Sequence, residues 1–150
     1  MADFIGAGER TVETIAKMLF PQKWNLETQV HIRHLIKKQD FELLAVEHNK
    51  HKTDFAINLT HKNLKGLSKD KYIGVIRVQG HDHTSGKSGH QHEHKSKKDS
   101  IQKELFQKNK LWVVDILFTE CPNIFKEQLN CDSIIEFCEM MKMAGVKLRN

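Results

Sequence analysis

The spacing of hydrophobic positions along this chain changes several times, and each change marks an element. Val12, Ile15, Ala16 and Leu19 recur at i, i+3, i+4 and i+7, which is one face of an amphipathic helix over Glu9 to Phe20. Pro21 ends it, because the residue before a proline is pushed out of the helical region. From Val30 the period falls to two. Val30, Ile32, His34 and Ile36 share a face, so a strand is expected there. Asp40 to Thr60 reads as a β-hairpin. Phe41, Leu43 and Ala45 alternate with their neighbours, Phe55, Ile57 and Leu59 do the same, and His48 to Lys52 forms the polar turn.

The stretch from Ile73 to Phe118 organises the rest. Tyr72 to Gln79 is a strand, closed by Gly80, and Leu111 to Phe118 is nearly all apolar. The second run predicts a central strand covered on both faces. Between them Asp99 or Ser100 can cap a helix running to about Lys108, with Ile101 and Leu105 facing inward. The strands around that helix would be neighbours in one sheet, and the strand-helix-strand order permits a parallel pair. Near the C-terminus, Ser133-x-x-Glu136 has the form of a capping box. Ile134, Ile135, Cys138 and Met141 would be its buried stripe, and Gly145 its stop. The sum is an α+β fold: a mixed four- to five-stranded sheet with an N-terminal helix, one helix before the last strand and a C-terminal helix. A length of 150 residues fits a single domain over 1–150. Residues 81–98, rich in Gly, Ser, His and Lys, have nothing to bury and are expected to form a flexible loop.

Composition bounds the class. Hydrophobic residues make up 39% and charged residues 29%, which suits a globular chain and not a disordered one. The net charge of +5 is unevenly spread. From Leu111 onward there are four basic and six acidic residues, and before it 20 basic and 13 acidic. A basic body with an acidic end suggests one polyanion-facing surface. The three cysteines are odd in number and include no CxxC pair, so they are not a disulfide framework and fit a reducing compartment. The start Met1-Ala2-Asp3-Phe4 lacks the pattern of a signal peptide. No apolar run approaches the ~18 residues of a membrane span. These observations lead to the expectation of a cytoplasmic or nuclear protein with no membrane partner.

Three groups of residues can carry chemistry. The first is a set of lysines: Lys50 and Lys52 at the hairpin tip, then Lys62, Lys65, Lys69 and Lys71, and Lys95, Lys97 and Lys98. Lysines hold phosphates as point charges without reading bases. Arginine, the usual base reader, is scarce, and no aromatics are interleaved to stack on single strands. Binding through these residues would be backbone-directed and salt-sensitive.

The second group is histidines. His81, His83, His90, His92 and His94 place five imidazoles in one loop, and neutral imidazole is a ligand for zinc and related metals. Thiolates at structural-zinc spacing are missing from it, and a flexible loop would have to be ordered by the metal. The same residues can equally form a solvated loop.

The third group is acidic. Metal-dependent nucleases of the restriction type place an Asp and a Glu-x-Lys on adjacent strands, where carboxylates hold magnesium or manganese and the lysine positions a water. Asp115 and Asp54 are the catalytic candidates on that reading, although no Glu-x-Lys follows an Asp at the needed place. The structural alternative for Asp115, set among apolar neighbours, is a carboxylate paired with Arg77 or a lysine. Cys121, directly after a strand, has no glycine-rich element beside it to form an oxyanion hole.

The expectation is therefore a non-catalytic nucleic-acid-binding accessory or regulatory protein, with nucleic acid (DNA or RNA) as partner and either no cofactor or a divalent metal, zinc here or magnesium or manganese for a nuclease. One alternative is a metal-dependent nuclease with acidic and histidine ligands. The other is an adaptor that docks a protein partner through its acidic C-terminal helix.

Overall fold

A computed structural model describes residues 8–42, 52–59, 72–79 and 100–148. Helix α1 spans Glu9–Leu19 and buries Val12, Ile15 and Ala16 of the stripe its periodicity marks, with Thr11 beside them and Leu19 half-buried. It stops where Pro21 requires, with Phe20 extended and its N–H bonded to Ala16 O. Strand β1 covers Asn25–His31, a 3₁₀ turn Ile32–His34, and a short helix α2 Lys38–Glu42. Strands β2 (Lys52–Asn58) and β3 (Tyr72–Gln79) follow. Helix α3 occupies 100–108, strand β4 Trp112–Leu117, helix α4 Pro122–Phe125 and helix α5 Cys131–Met143.

Among the described residues the strands form one mixed sheet in the order β1-β2-β3-β4. β1 pairs antiparallel with β2, and β2 antiparallel with β3. β3 and β4, joined through α3, run parallel, as the strand-helix-strand order permits. This is the expected α+β class, with its N-terminal helix, its helix before the last strand and its C-terminal helix.

Both faces of the sheet are covered. On one, Phe55, Ile57, Ile76, Val114 and Ile116 pack against α1, α4 and α5 through Val12, Ile15, Ile124, Phe137 and Met141. On the other, Val30, Ala56, Val75 and Val113 pack against Ile32, Leu35 and Ile36 and against Phe106 of α3. β4 feeds both layers, which explains its nearly unbroken apolar run. It is nevertheless an edge strand in the described sheet, not a central one. An all-apolar strand reports cover on its two faces and says nothing about its hydrogen-bonding neighbours.

The first layer is closed by aromatic rings. Trp112 lies 6.0 Å from Trp24 and 6.4 Å from Phe20, whose ring is 5.9 Å from Phe137. Trp112 is the register partner of Gly74. A Cβ at position 74 would come within 2.1 Å of the indole, so the glycine makes room for the ring.

Several sequence expectations are corrected. The strand read over Val30 to Ile36 ends at His31. There the His31 side chain accepts the Arg33 backbone N–H at 3.1 Å and starts the 3₁₀ turn. Gln29 just before it has φ 52, which breaks the alternation. The hairpin read over Asp40 to Thr60 is replaced, at its start, by helix α2. β2 pairs instead with β1 and β3, while Leu43, Ala45 and the turn up to His51 lie outside the described residues. In α3, Ile101 is exposed, and Gln102 and Phe106 are buried. In α5 the cap is Asn130, one turn earlier than read: its side chain accepts the Ser133 N–H, and Ser133 Oγ accepts the Asn130 N–H. The buried stripe is accordingly Ser133, Phe137 and Met141, with Ile135 half exposed. Gly145, at φ 76, does end the helix in the left-handed conformation that favours glycine. Among the described residues no helix is long and apolar enough to cross a membrane.

Candidate nucleic-acid interface

The strand directions bring four chain positions to one end of the sheet: the carboxyl ends of β1, β3 and β4 and the amino end of β2. His31 and Lys52 are register partners there, as are Gln79 and Leu117. In open α/β sheets, ligand sites gather outside the carboxyl ends of parallel strands.

The β1–β2 side of this end is cationic. His31, Arg33, His34 and Lys52 form one cluster. The rings of His31 and His34 are 6.3 Å apart, and Arg33 Nε lies 3.5 Å from His34 Nε2. Phe41 supplies a wall, 6.2 Å from the His31 ring. Burial, together with the charges of Arg33, His34 and Lys52, holds the His31 pKa below the ordinary histidine value. His31 is therefore neutral at pH 7, and because its Nδ1 accepts from Arg33 N, its Nε2 carries the proton. Arg33, His34 and Lys52 are exposed, and among the described residues none of them pairs with a carboxylate. Next to Lys52, the buried Thr53 Oγ1 has no hydrogen-bond partner among the described residues.

The β3–β4 side is polar and internally satisfied. Arg77 of β3 and Asp115 of β4 are register partners. Nε and Nη2 of Arg77 donate to the two oxygens of Asp115 at 2.6 and 2.9 Å, a bidentate pair. Gln79 Nε2 adds a longer contact to Asp115 at 3.4 Å. Asp54 Oδ2 accepts the Val78 N–H at 2.7 Å. Asp115 is thus the paired carboxylate that its apolar setting implies, with Arg77 as the partner. Asp54, the other acid read as a nuclease candidate, is bound to the β3 backbone.

Of the lysines marked from sequence, Lys52 lies within this cluster. Lys50, Lys62, Lys65, Lys69, Lys71, Lys95, Lys97 and Lys98 lie outside the described residues, as do His81, His83, His90, His92 and His94. Among the described residues no three His, Cys, Asp or Glu side chains come together to hold a metal. Sequence reading missed His31, Arg33 and His34. The available signal was the run His31-Ile32-Arg33-His34, whose alternation was assigned to a strand.

The cysteines remain apart from any such chemistry. Burial, then Glu136 and Glu120, push the Cys121 thiol up to about 12, so it stays protonated at neutral pH. Glu136 accepts the backbone N–H groups of Asn123 and Ile124 and the Asn123 side-chain amide, capping α4.

No protein-family model matches the chain, and comparisons with curated proteins and with solved structures find no match either.

Proposed function

We propose that this chain is a non-catalytic nucleic-acid-binding protein of accessory or regulatory type, which grips phosphates through the cationic end of its sheet. The observation that carries the reading is the cluster of His31, Arg33, His34 and Lys52, with His31 and Lys52 on paired strands, Arg33 and His34 on the 3₁₀ turn that follows β1, and no described carboxylate to neutralise it. Arg33 can fork onto a phosphate, Lys52 adds a point charge, and the Nε2–H of neutral His31 donates without bringing charge. Among the described residues no base-reading array accompanies them, so affinity rests on the sugar–phosphate backbone. The nuclease alternative needs Asp115 as a metal ligand, and Arg77 takes both of its oxygens. The test is one gel with labelled single- and double-stranded DNA and RNA, with and without Mg²⁺, Mn²⁺ or Zn²⁺, read for shift and for cleavage. A shift with intact strands supports the proposal. Metal-dependent cleavage, or no shift in any lane, refutes it.

The adaptor reading also has a specific observation behind it. A groove of about 680 Å³ runs along the β4 edge, with Lys103 and Gln107 of α3 on one side and Met140 and Met143 of α5 on the other. Met143 is 76% exposed, and β4 is an edge strand among the described residues, the geometry for adding a strand. Absence of polyanion affinity would turn the reading toward that groove.

A further inference from the structure

A second cleft lies at the opposite end of the sheet, where β3 begins and α3 hands over to β4. It measures about 390 Å³, and Lys37, Lys108, Lys110, Asn109 and Tyr72 line it. One carboxylate builds it. Asp40, 2% exposed, accepts Lys108 Nζ at 2.8 Å and Asn109 Nδ2 at 3.0 Å. Asn109 Oδ1 in turn accepts the Lys37 backbone N–H at 2.9 Å. These bonds hold the Lys108 ammonium and the Lys37 backbone to one inward-facing polar centre, and Lys110 lines the same cleft. The Lys108 side chain stays 64% exposed, so its ammonium keeps donors for a second partner.

Lys110 adds an independent observation. The Lys110 N–H bonds Gln107 O, and the Leu111 N–H bonds Phe106 O, which together form a Schellman ending for α3. Its left-handed position, at φ 65, holds a lysine where the backbone favours glycine. The fold alone would be better served by glycine there. The side chain that replaces it lines a cleft already occupied by two other lysines.

We infer that this cleft binds a phosphate monoester, carried either by a free nucleotide or by the 5′ end of a strand. Three lysines less Asp40 leave two positive charges. That matches the near-dianion of a monoester at pH 7 better than the single charge of a backbone diester. The volume lies in the small-ligand range, with Leu35 and Ile73 as apolar walls. The site is separate from the cationic cluster and does not depend on it.

The test uses the full chain in two arms. Calorimetry compares AMP, adenosine and inorganic phosphate, and titration compares one oligonucleotide bearing a 5′-phosphate with the same one bearing a 5′-hydroxyl. AMP is expected to bind and adenosine not, or the 5′-phosphate strand to bind about tenfold tighter, ~1.4 kcal/mol, than its hydroxyl twin. The arm that responds identifies the source. Lys110→Gly removes the preference without lowering the melting temperature, because glycine suits the backbone there, and Lys37→Gln weakens it. Arg33→Gln and Lys52→Gln lower the affinity of both oligonucleotides alike and leave the preference intact, so failure of the proposed interface and failure of this site give different results. The inference is overturned if neither arm shows a phosphate preference, or if the preference survives Lys37→Gln with Lys110→Gly.

Discussion

Arg77 and Asp115 face each other across the parallel pair β3–β4, joined by two hydrogen bonds of 2.6 and 2.9 Å. The guanidinium side chain is only 8% exposed and the carboxylate 20%. Removing one partner of such a pair leaves the other charge poorly solvated. Asp115→Asn is expected to lower stability by about 3 kcal/mol, measured by urea denaturation. Its nucleic-acid affinity, measured below the transition, should match that of the unaltered protein. A nuclease would in addition lose metal-dependent cleavage in this variant.

Gly74 and Trp112 give a second stability test. The indole occupies the space of a Cβ at position 74. Gly74→Ala should displace the ring and cost about 1–3 kcal/mol. The shift of tryptophan emission on folding should shrink with it, because Trp112 leaves its contacts with Trp24 and Phe20.

His31 contributes a pH-dependent part of the stability between pH 5 and 7. Its folded pKa is lowered from 6.5, first by burial and then by Arg33, His34 and Lys52. The folded state therefore binds fewer protons than the unfolded state in this range, and stability rises with pH. The contribution is complete above about 6.5 and is lost as pH falls from there through the folded value. His31→Gln should flatten that part of the curve, read as the urea midpoint between pH 7 and pH 5. An unchanged slope would place the titration elsewhere.

The cysteines predict an ordered reactivity. Cys131 is exposed, Cys138 half-buried and Cys121 buried, and burial raises the thiol pKa of both Cys138 and Cys121. At pH 8 the native protein should give one fast equivalent with a thiol reagent, then a slow one, and a third only on unfolding. Fast reaction of Cys121 would mean that the α4 region opens readily.

Patterns that depend on one element survived from sequence to structure, and patterns that depend on neighbours did not. The stripe of α1 and its stop at Pro21 are local, and both hold. The strand-helix-strand order permits the parallel β3–β4 pair that the structure shows, and equally permits an antiparallel one. The edge position of β4 was not readable, because two covering layers make an edge strand as apolar as a central one. The helix at Lys38–Glu42 was hidden because its stability comes from Asp40 meeting Lys108 and Asn109 from the far end of α3. Asn130 and Ser133 both suit a cap, and the choice between them depended on the reciprocal bond. At the site, Lys52 was marked by its charge, and the link of Asp115 to Arg77 by the cost of a bare carboxylate. His31, Arg33 and His34 were masked by an alternation that the 3₁₀ turn interrupts.

The most direct test of the interface is the salt dependence of binding to a short duplex, with the unaltered protein beside Arg33→Gln and Lys52→Gln. The expected result is a straight fall of log K with log salt, a slope reduced by about 1 in each variant, and strands intact in Mg²⁺ or Mn²⁺. Binding that ignores salt, slopes that the two substitutions leave unchanged, or metal-dependent cutting of the duplex would contradict it.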